Sequence, residues 1–479
     1  MSKHDIQTRT SSPIIRKIAP FAALGILGLL VVGAVNSEYI GVPSFQYVDK
    51  TNFSHGPRVD MESQGIDLSS SVRRAWKNAV KKTSGARKTT KGVRNTTLVS
   101  AQETPPAETV TGGAVSTENT GGGAPVASGV ISVNTSLSSV APAFGIAAGG
   151  GLVSLSEGDL DMYFQSLNSL GVSWVRWDVN WRSVQEERSD VYHWDDPDRI
   201  SGEAKKYNVK SLGILTYAPY WALSAPCVSA KTCAPVDPAT FAHFAGLAAA
   251  RYKGTIDYWE IWNEPNTHQD EYPRPNVVQY ATLLKETYAA IKKANPNAVV
   301  IVGGLAPAAD DSDGNISPVT FIQGLYDSGV KDSFDAIALH PYTYPGAPDY
   351  VCEWNNWDQM YTIRNIMIKN GDTAKKIWLT EYGAPTGGPG RARTVNDYSF
   401  VYGADYMSES AQTQLVRRVT EMYAADTTTF GPFFWYSLWD NGTSKSTPEN
   451  FFGLLRHDWS KKPAYDTFKS AVSAMNAAQ

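Results

Sequence analysis

The chain predicts a (β/α)8 barrel, an α/β fold in which eight parallel strands close on themselves inside a ring of helices. Three observations predict it. Apolar runs of strand length recur eight times from about Ala143 onward, and helical patterns separate them. Most of the runs are continuously apolar, as parallel strands covered on both faces should be. Two of the runs stop at a glutamate, Glu264 and Glu381, and the C-terminal strand ends are where such barrels carry reacting groups.

The strands are expected at Ala143–Ala147, Val172–Val179, Val209–Tyr217, Ile256–Trp262, Ala298–Leu305, Phe334–Leu339, Lys376–Thr380 and Pro432–Trp439. Helical patterns fill Asp161–Leu170, Phe241–Tyr252, Val278–Ala294, Pro318–Ser328, Gln359–Asn370, Gln412–Ala425 and Ala464–Met475. Regular alternation of this kind argues for a closed barrel over an open sheet. Glu381 follows Glu264 by 117 residues, three βα repeats of 39.

The barrel needs only residues 141–479 of the 479. Residues 18–35 form an uncharged apolar run of 18, the lower limit for a membrane-spanning helix. Arg16 and Lys17 precede it and Glu38 follows, so residues 1–17 are expected in the cytoplasm and the rest outside. Val32-Gly33-Ala34 also suits a cleaved export signal. Either reading puts the barrel at the extracellular face of the membrane or beyond it. Residues 36–140 read as a disordered linker preceding the barrel. Its first part carries nine basic residues and no acid between Ser70 and Asn95. That stretch reads as a tether to anionic cell-surface polymer or as a solvated spacer. Its second part, Thr104 to Ser136, is rich in Gly, Thr, Ala, Ser and Pro and cannot bury a core.

A net charge of −4 offers nothing to nucleic acid. Cys227 and Cys233 lie six apart, close enough for a loop disulfide in an oxidising compartment, with two free thiols as the alternative. Cys352 is left over. No His or third Cys stands near the pair, so no metal site is expected, and no cofactor.

Aromatic residues make up 11% of the chain, and Trp and Tyr rings are platforms for sugar faces. Two carboxyls at strand ends suit cleavage of a glycosidic bond, which needs one proton donor and one ionised group. The stretches that carry them are Tyr258-Trp259-Glu260-Ile261-Trp262-Asn263-Glu264-Pro265 and Ile377-Trp378-Leu379-Thr380-Glu381-Tyr382-Gly383.

On these motifs residues 143–475 resemble the retaining glycoside hydrolases of clan A, the cellulase-like family 5 and xylosidase-like family 39 enzymes. The resemblance implies an acid/base at Glu264, after Asn263, and a nucleophile at Glu381. It implies that Arg176, in Trp174-Val175-Arg176-Trp177, keeps the nucleophile ionised. It places His340-Pro341-Tyr342 beside the nucleophile, and it makes Trp435 or Trp439 the floor of the sugar subsite. Asn263 is suited to the sugar 2-hydroxyl. The third strand departs from family 5, reading Leu215-Thr216-Tyr217-Ala218-Pro219 where a His is usual. The implied activity is double-displacement hydrolysis of a poly- or oligosaccharide. A transglycosylase on the same site, or a non-catalytic surface carbohydrate-binding protein on the same barrel, shares these features. Arg391 and Arg393, in the long segment after the seventh strand, hint at an anionic substrate.

Overall fold

The computed structural model describes residues 140–479 apart from 189, 225–232, 269–273, 351–354 and 398. The expected anchor at 18–35, the linker, Cys227 and Cys352 therefore lie outside the described residues. No helix among the described residues is long and apolar enough to cross a membrane.

Eight parallel strands form one sheet. They are β1 (Phe144–Gly149), β2 (Trp174–Asn180), β3 (Lys210–Thr216), β4 (Tyr258–Asn263), β5 (Val299–Gly304), β6 (Ile337–Leu339), β7 (Ile377–Tyr382) and β8 (Phe430–Tyr436). Neighbours in sequence are neighbours in space, and β8 pairs with β1. The seam between β5 and β6 closes through the bridges Ile301–Ala336 and Leu305–Leu339. The barrel is thus complete. Each of the eight expected strands is present within a few residues.

A helix follows every strand: α1 (Glu157–Leu170), α2 (Asp195–Lys206), α3 (Pro238–Arg251), α4 (Val277–Ala294), α5 (Pro318–Asp327), α6 (Asn356–Lys369), α7 (Glu409–Ala424) and α8 (Pro463–Ala477). Their starts follow capping chemistry. Ser156, Asn276, Ser317 and Ser408 accept from the backbone N–H three residues on. Only α2 was not expected. It buries only Pro197, Ile200, Ser201 and Ala204, and opens with Asp195, Asp196 and Asp198. Its apolar stripe is too thin to mark a period, and acids at the positive helix end stabilise it instead.

The apolar interior has two layers. Between strands and helices lie the outward strand residues, including Val175, Trp177, Trp259, Ile261, Leu379, Phe433 and Trp435. Inside the barrel lie Trp174, Leu212, Ile301, Trp378, Phe434 and Tyr436. Trp174 packs edge-on against Trp378 at 5.4 Å and Tyr258 at 4.6 Å. This plug closes the lower barrel and leaves its upper end to polar side chains. The segment after β7 folds back as a small parallel ladder, Ala392–Arg393 on Tyr406–Met407.

Candidate active site

Alternation along β2 puts Trp174, Arg176 and Asp178 on the lumen side. Along β4 it does the same for Tyr258 and Glu260. The alternation then breaks. Trp262 takes φ 71° and Glu264 φ 46°, left-handed values that are rare outside glycine. The break turns Asn263 and Glu264 inward, and the next strand makes room for it. A Cβ on Gly303 would stand 2.5 Å from the carbonyl oxygens of Ile261 and Trp262, and one on Gly304 2.1 Å from His340 Nε2. On β7 a bulge has the same effect: Leu379 pairs with Phe433 but Tyr382 with Trp435, one residue too many on β7. Bulges re-aim side chains beside active sites, and this one brings Glu381 into the lumen.

Arg176 organises the centre and is fully buried. Its Nε and Nη2 donate to both oxygens of Glu260 at 2.8 and 2.9 Å. Its Nη1 pairs with Glu381 Oε1. Nη2 also lies 3.3 Å from Asn263 Oδ1 and 3.2 Å from His340 Nε2. Because arginine only donates, His340 must accept at Nε2 and carry its proton on Nδ1. That Nδ1–H lies 2.8 Å from Glu264 Oε1. The Tyr342 hydroxyl donates to Glu381 Oε2 at 2.8 Å. Glu260 is held further by the Gly304 N–H at 2.8 Å. Glu264, His340 and Glu381 offer oxygen and nitrogen atoms within 4.8 Å of one another.

That triad has the spacing of a metal site, but both nitrogens of His340 are engaged by Arg176 and Glu264, and the guanidinium beside it repels cations. The donor set suits proton handling better.

The electrostatics differ from the sequence expectation in one respect. Arg176 was expected to hold Glu381 ionised. It is shared with Glu260, which takes the bidentate face. Burial therefore prevails at Glu381 and moves its carboxyl above the ordinary value; Arg176 and Tyr342 pull it down and Glu260 pushes it up. Burial, then Arg176, hold His340 well below its usual value, so the ring is neutral. Burial raises Asp178 to about 7, against the pull of Arg176 and with the push of Glu381 and Glu260. Burial, then Glu381, also raise Glu449.

Six of the expected residues come together: Arg176, Asn263, Glu264, His340, Tyr342 and Glu381. The two tryptophans do not join them. Trp435 points outward into the strand–helix layer, 6.0 Å from Tyr382 and 6.1 Å from Phe468. Trp439 stacks on His457 and Trp459 at 4.8 and 5.2 Å, in the segment beyond β8. The lumen position at the end of β8 belongs to Tyr436. Arg393 is bound within its own loop by Asp405 and Asp397, at 2.8 and 3.4 Å, and Arg391 is exposed. Cys233 is disulfide-bonded. Sequence reasoning missed Glu260, Asp178, Tyr436 and Glu449. A signal for Glu260 existed: it is a charge flanked by apolar residues inside a strand, as Arg176 is, and buried charges are paired.

No family model matches the chain, and no curated protein matches it in sequence. Solved structures do. A family 39 glycoside hydrolase from the gut symbiont Bacteroides cellulosilyticus WH2 superposes with TM-score 0.56 and 23% identity, over 70% of this chain and 64% of that one. The chain thus spans under two thirds of that enzyme's length. The GH5_18 enzyme of Streptomyces cattleya, solved with GlcNAc, gives 0.53 and 15%, over 71% and 82%. A monomeric beta-xylosidase from Caulobacter crescentus CB15 gives 0.51 and 14%, over 69% and 68%. The fold of this chain is the (β/α)8 barrel found in family 39 and family 5 glycoside hydrolases of clan A.

Proposed function

We propose that the chain is a retaining O-glycoside hydrolase acting on a poly- or oligosaccharide. The observation that carries this reading is the closeness of two carboxyls with different partners. Oxygens of Glu264 and Glu381 lie within 4.8 Å of each other. Retaining enzymes hold their carboxyls about 5–5.5 Å apart, and inverting ones about 6.5–9.5 Å to admit a water.

In the first step Glu381 Oε attacks the anomeric carbon while Glu264 gives its proton to the departing oxygen. The C–O bond breaks and a glycosyl ester of Glu381 forms. In the second step Glu264, now ionised, takes a proton from water, and the water oxygen displaces Glu381. The roles divide by neighbours. Glu381 faces the guanidinium and a phenol hydroxyl, which stabilise its charge. Glu264 faces neutral His340, whose Nδ1–H can hold it in either state. The Asn263 oxygen is taken by Arg176, which leaves its NH2 for the sugar 2-hydroxyl.

Azide rescue tests the assignment. In Glu264→Ala, an aryl glycoside with a good leaving group should still form the ester and then stall, and azide should restore turnover with retained configuration. In Glu381→Ala only the inverted glycosyl azide should appear. Reversed products would swap the roles, and unchanged rates in both variants would end the catalytic reading. Adding an acceptor sugar to the same assay separates hydrolysis from transglycosylation.

Export is part of the proposal. The disulfide at Cys233 suits an oxidising compartment, and residues 18–35 with Arg16 and Lys17 suit a membrane anchor. The basic stretch from Arg73 to Arg94 would then lie next to the anionic cell surface.

A further inference from the structure

We propose that Asn266 positions the acid/base. Its buried side chain pins the turn that aims Glu264 into the lumen, so it governs proton donation to the leaving group without touching substrate. The inference rests on the glycosidase reading above.

Glu264 sits on an unfavourable backbone. Trp262 and Glu264 both take left-handed φ values, and Pro265 disfavours the right-handed helical alternative for Glu264. For residues with a Cβ such a conformation persists only where the surroundings over-determine it. Ahead of the turn, the Tyr280 hydroxyl of α4 donates to the Ile261 carbonyl at 2.8 Å and accepts from the Gly303 N–H at 2.7 Å. At the turn, the Glu264 N–H donates to the Gly304 carbonyl at 3.0 Å, and the Glu264 carbonyl accepts from the Thr267 N–H at 3.1 Å. Behind the turn stands Asn266, fully buried. Its Oδ1 accepts from the Ala306 N–H at 2.9 Å. Its Nδ2 donates to the carbonyls of Ala306 at 3.0 Å and Ile316 at 2.9 Å. Its own carbonyl accepts from the Ile316 N–H at 2.9 Å. One residue thus takes both main-chain groups of Ala306 and both of Ile316, near the two ends of the β5–α5 connection.

The consequence falls on one carboxyl of the pair. Glu381 is carried by β7 and held by Arg176 and Tyr342, and no bond of Asn266 reaches that strand. Loss of the Asn266 side chain loosens the turn and lets Glu264 move off His340 Nδ1, while the nucleophile stays in place. A misplacement of about 1 Å costs a reaction step about 100-fold.

The test is a series of aryl glycosides of one sugar. Their leaving groups run from 2,4-dinitrophenol, which departs without a proton, to phenol, which needs one. In Asn266→Ala, kcat/KM should fall about 100-fold for the phenyl glycoside and less than about three-fold for the dinitrophenyl one. Azide should raise kcat on the latter, because the misplaced carboxyl also serves poorly as base. Asn295→Ala is the control. That side chain is as deeply buried but bonds Asp257 at the opposite end of the barrel, and any loss there should not depend on the leaving group. Asn266→Asp has the same shape and keeps the Ala306 N–H bond. It replaces Asn266→Ala should that variant not fold, with the same pattern expected. A loss equal across leaving groups, which marks a merely structural role, overturns the proposal, and so does no loss. A crystal structure of the variant tests the geometry without substrate: Glu264 should leave His340 Nδ1, and an unmoved Glu264 overturns the proposal. If wild type cleaves no aryl glycoside, the glycosidase reading falls, and that crystal structure alone decides whether Asn266 positions Glu264.

Discussion

At the residue scale, Glu260 sets the working range of Glu381 without touching substrate. It shares Arg176 with Glu381, and its charge helps push the Glu381 carboxyl upward. Glu260→Gln removes that push and leaves the guanidinium more fully to Glu381, while the Gln oxygen keeps the Gly304 N–H. Glu381 then ionises at lower pH. The acid limb of kcat/KM should move down by about 0.5–1 unit; a pH–rate profile checks this, and an upward or absent shift would contradict the sharing. Much of the site was legible because its residues sit where strands end and polar groups have no packing reason to be. Glu264, Glu381, His340 and Tyr342 are of this kind. Tyr436 was not legible. A strand buried on both faces carries no alternation to say which of two adjacent aromatics looks inward, so Trp435 and Tyr436 were interchangeable on paper.

At the scale of elements, β5 is shaped by its neighbours. Its Gly303-Gly304 end admits the left-handed turn of β4 and the ring of His340. Gly304→Ala would drive a methyl group into His340 Nε2. The ring must shift, breaking its bonds to Arg176 and Glu264. Activity should fall at least about 100-fold, and stability by about 1–3 kcal/mol, read by steady-state kinetics and denaturant unfolding. Gly202→Ala is the control: on α2, with nothing within 4 Å of the new carbon, it should leave activity alone and stabilise by about 0.5–1 kcal/mol. Strand positions were legible to within a few residues because each is a short apolar run between polar ones. The bulge in β7 and the twist in β4 were not. They depend on register against partners 41 to 54 residues away, which local pattern does not encode.

At the scale of the molecule, the barrel closes on itself within the described residues. The Tyr423 hydroxyl of α7 bonds to Ala143 N at 2.9 Å and to the Gly431 carbonyl at 2.7 Å, across the β1–β8 seam. The six site residues that come together, Arg176, Asn263, Glu264, His340, Tyr342 and Glu381, all lie inside that closed ring. A chain starting at Ser138 should therefore fold, with an unchanged rate on soluble substrate within about two-fold; circular dichroism and the same assay check it, and a folded but inactive product would contradict it. Alkylation without reductant should label Cys352 alone of the three cysteines, as intact mass will show. Two or three labels would exclude a Cys227–Cys233 bond. The Arg176 junction has one more consequence, in the order of assembly. Its carboxylate partners are 84 and 205 residues away in the chain. No half-barrel brings all three together, and such long-range pairing forms late. Helical signal on refolding should return before activity does, because a chain still being made lacks the complete Arg176 junction.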